Sequence, residues 1–482
     1  MPQPPSVDRR EFLSNSAALL TPLLFAVRRP TDIQIENVSH SYQDYKYRTP
    51  YMFGGSLVDR VTLLNVNCSV RTRDGRRAEG FGSMPMGNVW AFPSARLSYD
   101  QTLAAMKALA GKIEKLTNEY KEYGHPIDIN VELEPAYLKA ASEFSEEQTL
   151  VEPIPKLCTL VTASPFDAAI HDAFGKVHGR NTYQTYGPDL LPNDLSHYLG
   201  PDFKGLWLNQ FVTAKPKPSL PLFHSVGASD PLTNADVHHP VRDGLPETLA
   251  QWIAHDGIDH LKIKLNGADL QSDVSRVLAI DSVTTEVQAK RKVATWFYSL
   301  DFNEKCRNVD CLLSFIQQVK ESRPAAFSRI QYIEQPTARD LKANRHNRMQ
   351  QASRLVPVVI DESLTGLDAL LLAREMGYTG AALKACKGQT QAMLMAAAGQ
   401  KLNMFLCVQD LTCPGASLIQ SAGIAAHVPG IAGIEANSRQ YVPAANQGWS
   451  ERFPGIFHVT DGSLKTGNLT GLGLGAVEAR HA

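Results

Sequence analysis

Five charged residues follow one another at the ends of short apolar runs in the middle of the chain. In order they are Lys264, Asp301, Glu334, Asp361 and Lys384. The three carboxylates offer hard oxygen ligands of the kind that Mg²⁺ prefers. A lysine amine on either side of them can take or return a proton. These residue types together suit removal of a proton next to a metal-bound carboxylate group.

The spacing of the five residues predicts the fold that brings them together. They lie 37, 33, 27 and 23 residues apart, and each interval has room for one strand, one helix and two loops. In a parallel barrel built from such units, the strand ends meet at one face and carry the chemistry. The sequence therefore predicts a (β/α)8 TIM-type barrel. Its strands are expected at 220–226, 260–264, 296–301, 330–334, 357–361, 380–384, 404–410 and 431–437.

The lysines have two distinct placements in this barrel. Lys262 and Lys264 are two residues apart on one strand, so both side chains are expected to face the barrel interior. Two ammonium groups so close to each other and to a divalent cation lower each other's proton affinity, which would let one act as a base. Lys384 ends the sixth strand, across the barrel from the second. Lys387 is a rival for its role, but it falls beyond the strand end.

Composition narrows the class of protein. The chain has 482 residues, 43% hydrophobic and 20% charged, with a net charge of −1, which describes a soluble globular protein with a large core. It has no basic run, so a nucleic-acid partner is not expected. The seven cysteines are scattered without CxxC spacing, which disfavours a disulfide framework or a structural zinc site.

The N-terminal residues allow two interpretations of equal weight. The stretch 8–13 resembles a twin-arginine export signal, and the alternative is a disordered arm. The apolar run after it is too short and too polar to span a membrane. The expected location is cytoplasmic, or periplasmic if Arg9 and Arg10 form a functional signal.

The rest of the chain is predicted to form a capping domain, the barrel and two further segments. Strands near 33–38 and 61–66 and helices near 101–123 and 135–144 indicate an α+β domain. Two glycine- and aromatic-rich stretches, 42–55 and 80–90, are interpreted as loops that act as lids or pack on their own domain. The expected units are 1–32 (signal or arm), 33–187 (capping domain), 188–218 (insertion or linker), 219–445 (barrel) and 446–482 (a C-terminal segment packing back on the capping domain).

The ordered motifs resemble those of the enolase superfamily, and within it the muconate-lactonizing-enzyme-like subgroup of the mandelate racemase/muconate lactonizing enzyme family. The resemblance rests on Lys262-Ile263-Lys264, Asp301-Phe302-Asn303, Ile333-Glu334-Gln335-Pro336, Asp361-Glu362-Ser363 and Leu383-Lys384. It implies a modified enolase-type barrel in which Asp301, Glu334 and Asp361 bind Mg²⁺, with Mn²⁺ as a substitute. It also implies Lys264 and Lys384 as the acid/base pair, with Lys262 tuning Lys264 and touching the substrate carboxylate.

Further residues are expected around the metal or the substrate. The seventh strand ends in Gln409-Asp410, where the mandelate-racemase subgroup has a histidine. The eighth ends in Glu435-Ala436-Asn437, where dipeptide epimerases have Asp-x-Asp. The long interval between Lys264 and Asp301 predicts an insertion at 273–292. The expected supporting residues are Asn303, Glu362, Gln409, Asp410, Glu435, Asn437, Tyr47 and Arg48.

The resemblance implies Mg²⁺-dependent removal of the proton α to a carboxylate through an enediolate. The favoured outcome is racemisation or epimerisation of an amino-acid derivative or related acid. A cycloisomerase or syn-dehydratase is an alternative at the same site, and a non-catalytic, metal-stabilised, ligand-binding barrel is an alternative of another class. The expected partner is a small carboxylate, with no stable membrane span, and the resemblance suggests a homo-oligomer.

Overall fold

The computed structural model describes residues 29–267 and 269–477. An antiparallel three-stranded sheet with helices precedes a closed barrel of eight parallel strands. The predicted barrel with an N-terminal α+β domain is confirmed. The twin-arginine-like stretch 8–13 lies outside the described residues.

The capping domain consists of one sheet and four helices. Strand β1 pairs with β2, and β2 with β3, all antiparallel. The sheet buries one face against the helices, and the apolar core formed there is continuous with that of the barrel. The strands are β1 (Ile33–Phe53), β2 (Ser56–Thr72) and β3 (Arg77–Pro85), and the helices are α1 (Asn88–Ala91), α2 (Tyr99–Glu119), α3 (Pro126–Glu147) and α4 (Lys156–Val177).

The prediction of a loop at 42–55 is wrong, because most of this stretch is the second half of β1. The strand continues to Phe53 and turns back through Gly54 and Gly55, whose φ angles are +51° and +74°. Two successive residues with positive φ form a tight hairpin turn that glycine adopts without strain. Alternating aromatic residues were compatible with a strand, and the glycine pair marks only its end.

The second predicted loop, 80–90, is also wrong, because it is β3 followed by α1. Strand β3 runs directly along α4, and a Cβ atom at Gly80 or Gly82 would lie 2.1 or 2.0 Å from a carbonyl oxygen of that helix. Glycine is therefore required for this close approach and does not mark a loop. The packing fixes where β3 ends, and so fixes α1 above the barrel.

The barrel strands lie close to their predicted positions. Neighbouring strands are parallel, and β11 pairs with β4 to close the barrel. Inside it, an apolar layer of Phe223, Tyr332, Val359, Ala382 and Cys407 fills the cross-section. The strands are β4 (Ser219–Val226), β5 (His260–Lys264), β6 (Phe297–Asp301), β7 (Ile330–Glu334), β8 (Val358–Ile360), β9 (Gly380–Leu383), β10 (Phe405–Val408) and β11 (Ile431–Glu435).

Helices of unequal length surround the barrel. Residues 273–292, predicted as an insertion, belong almost entirely to one 22-residue helix, which accounts for the long interval before Asp301. The helices are α5 (Ser196–Leu199), α6 (Leu249–Asp256), α7 (Leu270–Arg291), α8 (Val309–Ser322), α9 (Pro324–Ser328), α10 (Gln350–Ser353), α11 (Leu367–Glu375), α12 (Gln389–Lys401), α13 (Ala416–His427), α14 (Ser438–Tyr441), α15 (Trp449–Arg452) and α16 (Pro454–Phe457).

The C-terminal segment contacts both parts of the chain. A short strand β12 (Ser463–Lys465) pairs antiparallel with the start of β4. Further on, the backbone N–H of Leu474 donates to the Asp172 carboxylate of α4, 2.7 Å away. The domain boundaries given above stay a prediction. None of the helices in the described residues is long and apolar enough to cross a membrane.

Candidate active site

The strand register places the predicted acids side by side. Lys264, Asp301 and Glu334 are paired neighbours at the ends of β5, β6 and β7. Asp361 follows β8 directly, and Lys384 follows β9. All five are buried, with at most 6% of any of them exposed. The three acids thus occupy three consecutive strand ends between the two lysines.

The two lysines approach this space from opposite sides. Strands β5 and β9 are four positions apart in the closed eight-stranded barrel, which makes them diametrically opposite. Both Lys264 and Lys384 line the same cavity above the strand ends. We call the strand-end residues Lys262, Lys264, Asp301, Glu334, Asp361 and Lys384 the floor. Of these, Lys264 and Lys384 line the cavity itself.

Lys262 is enclosed by acceptors. Its Nζ donates to Glu334 Oε1 at 2.8 Å, to Gln409 Oε1 at 2.6 Å and to Glu435 Oε2 at 3.0 Å. Burial lowers the pKa of Lys262, but the surrounding carboxylates outweigh this and raise it well above its ordinary value. The lowering of proton affinity expected beside a divalent cation, and the contact of Lys262 with a substrate carboxylate, stay predictions. In the structure its ammonium group donates to three protein acceptors.

Each catalytic lysine candidate is paired with one metal-ligand candidate. Lys264 Nζ lies 2.5 Å from Asp301 Oδ2, and Lys384 Nζ lies 2.8 Å from Asp361 Oδ2. Burial would raise the pKa of Asp301, but Lys264 and Lys262 lower it to about 2. In the same way Lys384 and Lys387 overcome burial and hold the pKa of Asp361 below its ordinary value. Burial lowers the pKa of Lys384, but Asp361 outweighs it and the pKa is raised.

The cavity distinguishes Lys384 from its rival. Lys387 Nζ donates to the backbone oxygen of Asp361 at 2.5 Å and to its carboxylate at 3.1 Å. Lys384 lines the cavity together with Lys264, whereas Lys387 lines a different cavity between α3, α4 and the loop that follows Asp361. The geometry therefore favours Lys384 as the partner of Lys264.

The acids fit a divalent cation by their chemistry. Glu334 Oε2 is buried without a hydrogen-bond partner. Burial and the nearby Asp301 raise the pKa of Glu334 well above its ordinary value, because like charges there repel each other. Within residues 29–267 and 269–477, no three His, Cys, Asp or Glu side chains are already spaced to hold a metal ion, and lysines hold Asp301 and Asp361 instead. An oxygen-only donor set with one unpaired carboxylate oxygen suits Mg²⁺.

Two of the predicted supporting residues lie beside the acids. The Asn303 backbone N–H donates to Asp301 Oδ1 at 2.8 Å, and its side chain donates to Glu362 Oε1 at 3.2 Å. Burial and the neighbouring Asp361 raise the pKa of Glu362 to about 7. These contacts hold the ends of β6 and β8 in one network.

The predicted residues of β10 and β11 lie on the other side of the floor. Burial and Glu435 raise the pKa of Asp410 to about 6, and its carboxylate accepts the backbone N–H of Asn437 at 2.9 Å. Glu435 accepts a hydrogen bond from Lys262 at 3.0 Å. Gln409 spans Lys262 and the Tyr332 hydroxyl, whereas Asp410, Glu435 and Asn437 line the cavity.

Tyr47 and Arg48 are the two residues predicted on β1. They lie on opposite faces of the strand, because successive side chains of a strand alternate between its faces. Tyr47 lines the cavity and stacks on Tyr441 with ring centroids 6.3 Å apart. The Arg48 guanidinium instead pairs with Asp243 at 2.5 Å and lines a separate cavity. The structure therefore does not bring Arg48 to the site.

The capping domain supplies aromatic residues to the cavity, and of these the sequence analysis identified only Tyr47 individually. They occur in the two stretches interpreted as loops, and their aromatic content was the available signal. The cavity between them and the floor leaves about 50 Å³ for the centres of water-sized molecules. We call these residues the roof: Tyr47, Tyr51, Phe53 and Trp90.

Comparison with known proteins agrees with this architecture. A family model described as enolase C-terminal domain-like matches residues 245–479. No curated protein matches the chain in sequence.

Solved structures share the fold at low sequence identity. A dipeptide epimerase from Enterococcus faecalis V583, complexed with Mg and the dipeptide L-Leu-L-Tyr, is 16% identical, with a TM-score of 0.59 over 93% of this chain and 100% of that one. The L-Ala-D/L-Glu epimerase from Bacillus subtilis is 15% identical, with a TM-score of 0.59 and the same coverage. A muconate lactonizing enzyme from Pseudomonas fluorescens, complexed with muconolactone, is 16% identical, with a TM-score of 0.57 over 92% of this chain and 96% of that one.

At these identities the structural likeness shows the fold alone, and the family model supplies the assignment. The matched region contains β5 to β11 and every floor residue. The barrel region, residues 245–479, thereby matches the enolase C-terminal domain-like family, which supports the resemblance to the enolase superfamily and its muconate-lactonizing-enzyme-like subgroup.

Proposed function

We propose that this enzyme removes the proton α to the carboxylate of a small substrate and returns a proton to the opposite face, as a racemase or epimerase. The observation that carries the proposal is the placement of Lys264 and Lys384 on diametrically opposite strands around one cavity, with three acids between them. Racemisation needs one proton-transfer group on each face of the substrate, and this arrangement provides both.

The acids are proposed to hold the cofactor. Asp301, Glu334 and Asp361 would bind Mg²⁺, or Mn²⁺ in its place, through carboxylate oxygens, including the unpaired Glu334 Oε2. The bound cation would supply positive charge to the substrate carboxylate as negative charge develops there. An α-proton is otherwise too weakly acidic for an amine to remove.

The lysines carry the proton transfers. Lys384 begins as an ammonium group, because Asp361 raises its pKa, and it donates a proton to one face of the substrate α-carbon. Lys264 accepts a proton at its Nζ from the other face, and the roles are exchanged in the reverse direction. Lys262 remains charged among its acceptors and fixes the positions of Glu334 and Glu435.

The alternative outcomes share the first proton removal. In a cycloisomerase or syn-dehydratase, one lysine would transfer the proton and the other would stabilise charge. A non-catalytic barrel has no use for two cavity-lining lysines beside an unpaired buried carboxylate, since buried charges are costly. A homo-oligomeric assembly stays a prediction from the resemblance.

The test is α-proton exchange followed by NMR in D₂O with Mg²⁺, over a pooled set of dipeptides, N-acyl amino acids and hydroxy acids. We expect deuterium incorporation and inversion of configuration in at least one class. A chelator should stop both, and added Mg²⁺ should restore them.

The products separate the alternatives. A product with a new double bond would indicate elimination instead of racemisation. A lactone would indicate cycloisomerisation. Tight Mg²⁺ binding without exchange in any class would favour the ligand-binding barrel.

A further inference from the structure

The roof places an indole ring against one catalytic lysine. Trp90 lies in α1 of the capping domain, and 5% of it is exposed. The Lys384 Nζ lies 4.3 Å from the centroid of its ring. This is well within the distance at which an aromatic face attracts an ammonium group.

The position of this ring is fixed from three directions. Its Nε1–H donates to Glu362 Oε1 at 3.0 Å, and its backbone oxygen accepts from Arg339 at 3.1 Å. The side chain of Asn88, two residues earlier, is tied to α2 through Tyr99 and Thr102. The indole is therefore held rigidly between the capping domain and the end of β8.

The contacts of Lys384 show what the ring contributes. An ammonium group has three N–H donors. Lys384 Nζ has hydrogen-bonding partners in the Asp361 carboxylate and the Asp410 backbone oxygen, and the ring face is its third neighbour. A ring face attracts the charge but cannot accept the proton. It holds the side chain without competing with the substrate for the transferred hydrogen.

We propose that Trp90 is a positioning residue for Lys384, whose ring face holds the lysine side chain in place for proton transfer at one face of the substrate. This inference rests on the proposed function through the role of Lys384. It also predicts an asymmetry, because Lys264 lies 5.9 Å from the nearest roof ring, that of Phe53. Loss of Trp90 should then impair the Lys384 transfer and spare the Lys264 transfer.

The experiment isolates each lysine in turn. In a Lys264→Ala protein loaded with Mg²⁺, α-deuteration of one enantiomer reports Lys384 alone. In a Lys384→Ala protein, exchange of the other enantiomer reports Lys264 alone. Trp90→Leu and Trp90→Phe are introduced into both backgrounds, and initial exchange rates are compared at saturating substrate.

We expect Trp90→Leu to slow exchange about 5- to 30-fold in the Lys264→Ala background, which corresponds to an interaction of about 1–2 kcal/mol. In the Lys384→Ala background the rate should change by less than about twofold, since the ammonium group 4.3 Å from the ring is gone and Lys387, 5.6 Å from the same ring centroid, does not line the cavity. Trp90→Phe keeps a ring face and should retain most of the rate. Equal slowing in both backgrounds, or a Phe variant as slow as the Leu variant, would overturn the proposal.

Trp296→Leu is the matched control for loss of a buried indole. Trp296 is 6% exposed and carries Arg329 at 3.9 Å over its ring, just before β6 and away from the cavity. Trp296→Leu should change the exchange rates in the two lysine backgrounds equally. If it reproduced the asymmetry, the effect of Trp90 would be a general consequence of altered packing, and the proposal would fail.

A substrate-free measurement keeps this test independent of the proposed function. In Mg²⁺-loaded protein carrying ¹³C at the lysine ε carbon, the Lys384 ε-methylene signal, assigned through Lys384→Arg, should be shifted upfield by the indole ring current. The shift should largely disappear in Trp90→Leu. An unshifted signal in the unmodified protein would overturn the contact, whatever the substrate proves to be. By contrast, a shifted signal with no effect of Lys384→Ala on either enantiomer would contradict the function of Lys384 and, with it, the positioning role.

Discussion

The floor and the roof of the cavity are built from different interactions. On the floor, buried ammonium and carboxylate groups meet at hydrogen-bonding distances, such as 2.8 Å between Lys262 and Glu334. On the roof, aromatic rings contact each other and the lysines at 4 to 6 Å, as between Tyr51 and Tyr441 at 4.2 Å. Short ionic contacts are intolerant of substitution, whereas ring contacts are broad in geometry. The floor is thus expected to determine the reaction, and the roof to determine orientation and fit.

The largest effect is expected from Glu334→Gln on the floor. The amide keeps the shape of the side chain but removes a negative charge from the proposed metal site. The loss of several kcal/mol of charge stabilisation corresponds to at least about a thousandfold lower exchange rate. Calorimetry measures the Mg²⁺ affinity, and α-proton exchange measures the rate. The exposed Glu286→Gln is the control. Unchanged Mg²⁺ affinity together with near-normal exchange would remove Glu334 from the site.

The next effect concerns stability rather than catalysis. Asp361→Ala would leave Lys384 and Lys387 buried without their shared carboxylate. Breaking a buried ion pair in this way costs about 3–5 kcal/mol. Urea unfolding in the presence of a chelator measures this loss in the free energy of unfolding. The control is Asp368→Ala, which breaks an exposed pair with Lys342 and should cost less than about 1 kcal/mol. Equal losses in the two variants would show that the floor pairs are no stronger than surface pairs.

A smaller effect is expected from Phe53→Leu on the roof. Lys264 lies 5.9 Å from the Phe53 ring, near the limit at which an aromatic face attracts a cation. Exchange by Lys264, measured in the Lys384→Ala background, should slow about two- to threefold, as expected for about 0.5 kcal/mol. An effect as large as that of Trp90→Leu on Lys384 would contradict the asymmetry between the two sides of the roof.

The smallest effect is expected from Arg48→Ala. Its guanidinium pairs with Asp243 and donates to the Leu245 backbone oxygen, away from the cavity. We expect kcat/KM to change by less than about twofold, since the contacts of Arg48 lie outside the cavity. A tenfold loss would mean that Arg48 reaches the substrate and that the hairpin changes register when substrate binds.

The two parts of the cavity also differ in how far the sequence could predict them. The floor was predictable because each charge ends an apolar run, and the βα spacing forces those ends to one face. The roof depends on contacts between distant segments. Trp90 reaches Lys384 because Gly80 and Gly82 allow β3 to lie against α4, and a glycine pair in a sequence does not reveal that approach.

One error shows the same limit in physical terms. The loop prediction for 42–55 leaves out the alternation of the strand, which decides between Tyr47 and Arg48, and only Tyr47 faces the cavity.

The surroundings of Lys262 are equally distant in sequence. Carboxylates from three other strands surround it and raise its pKa, including Glu435, 173 residues away.

The most direct test of the central claim is the stereochemistry of exchange in the two lysine variants. With Mg²⁺ and a substrate from the responsive class, each enantiomer is incubated in D₂O with folded Lys264→Ala or Lys384→Ala. Two lysines on opposite faces predict that each variant exchanges one enantiomer only, that the two variants exchange opposite enantiomers, and that the double variant exchanges neither. If either single variant exchanged both enantiomers, or both variants exchanged the same one, the two lysines would not act on opposite faces.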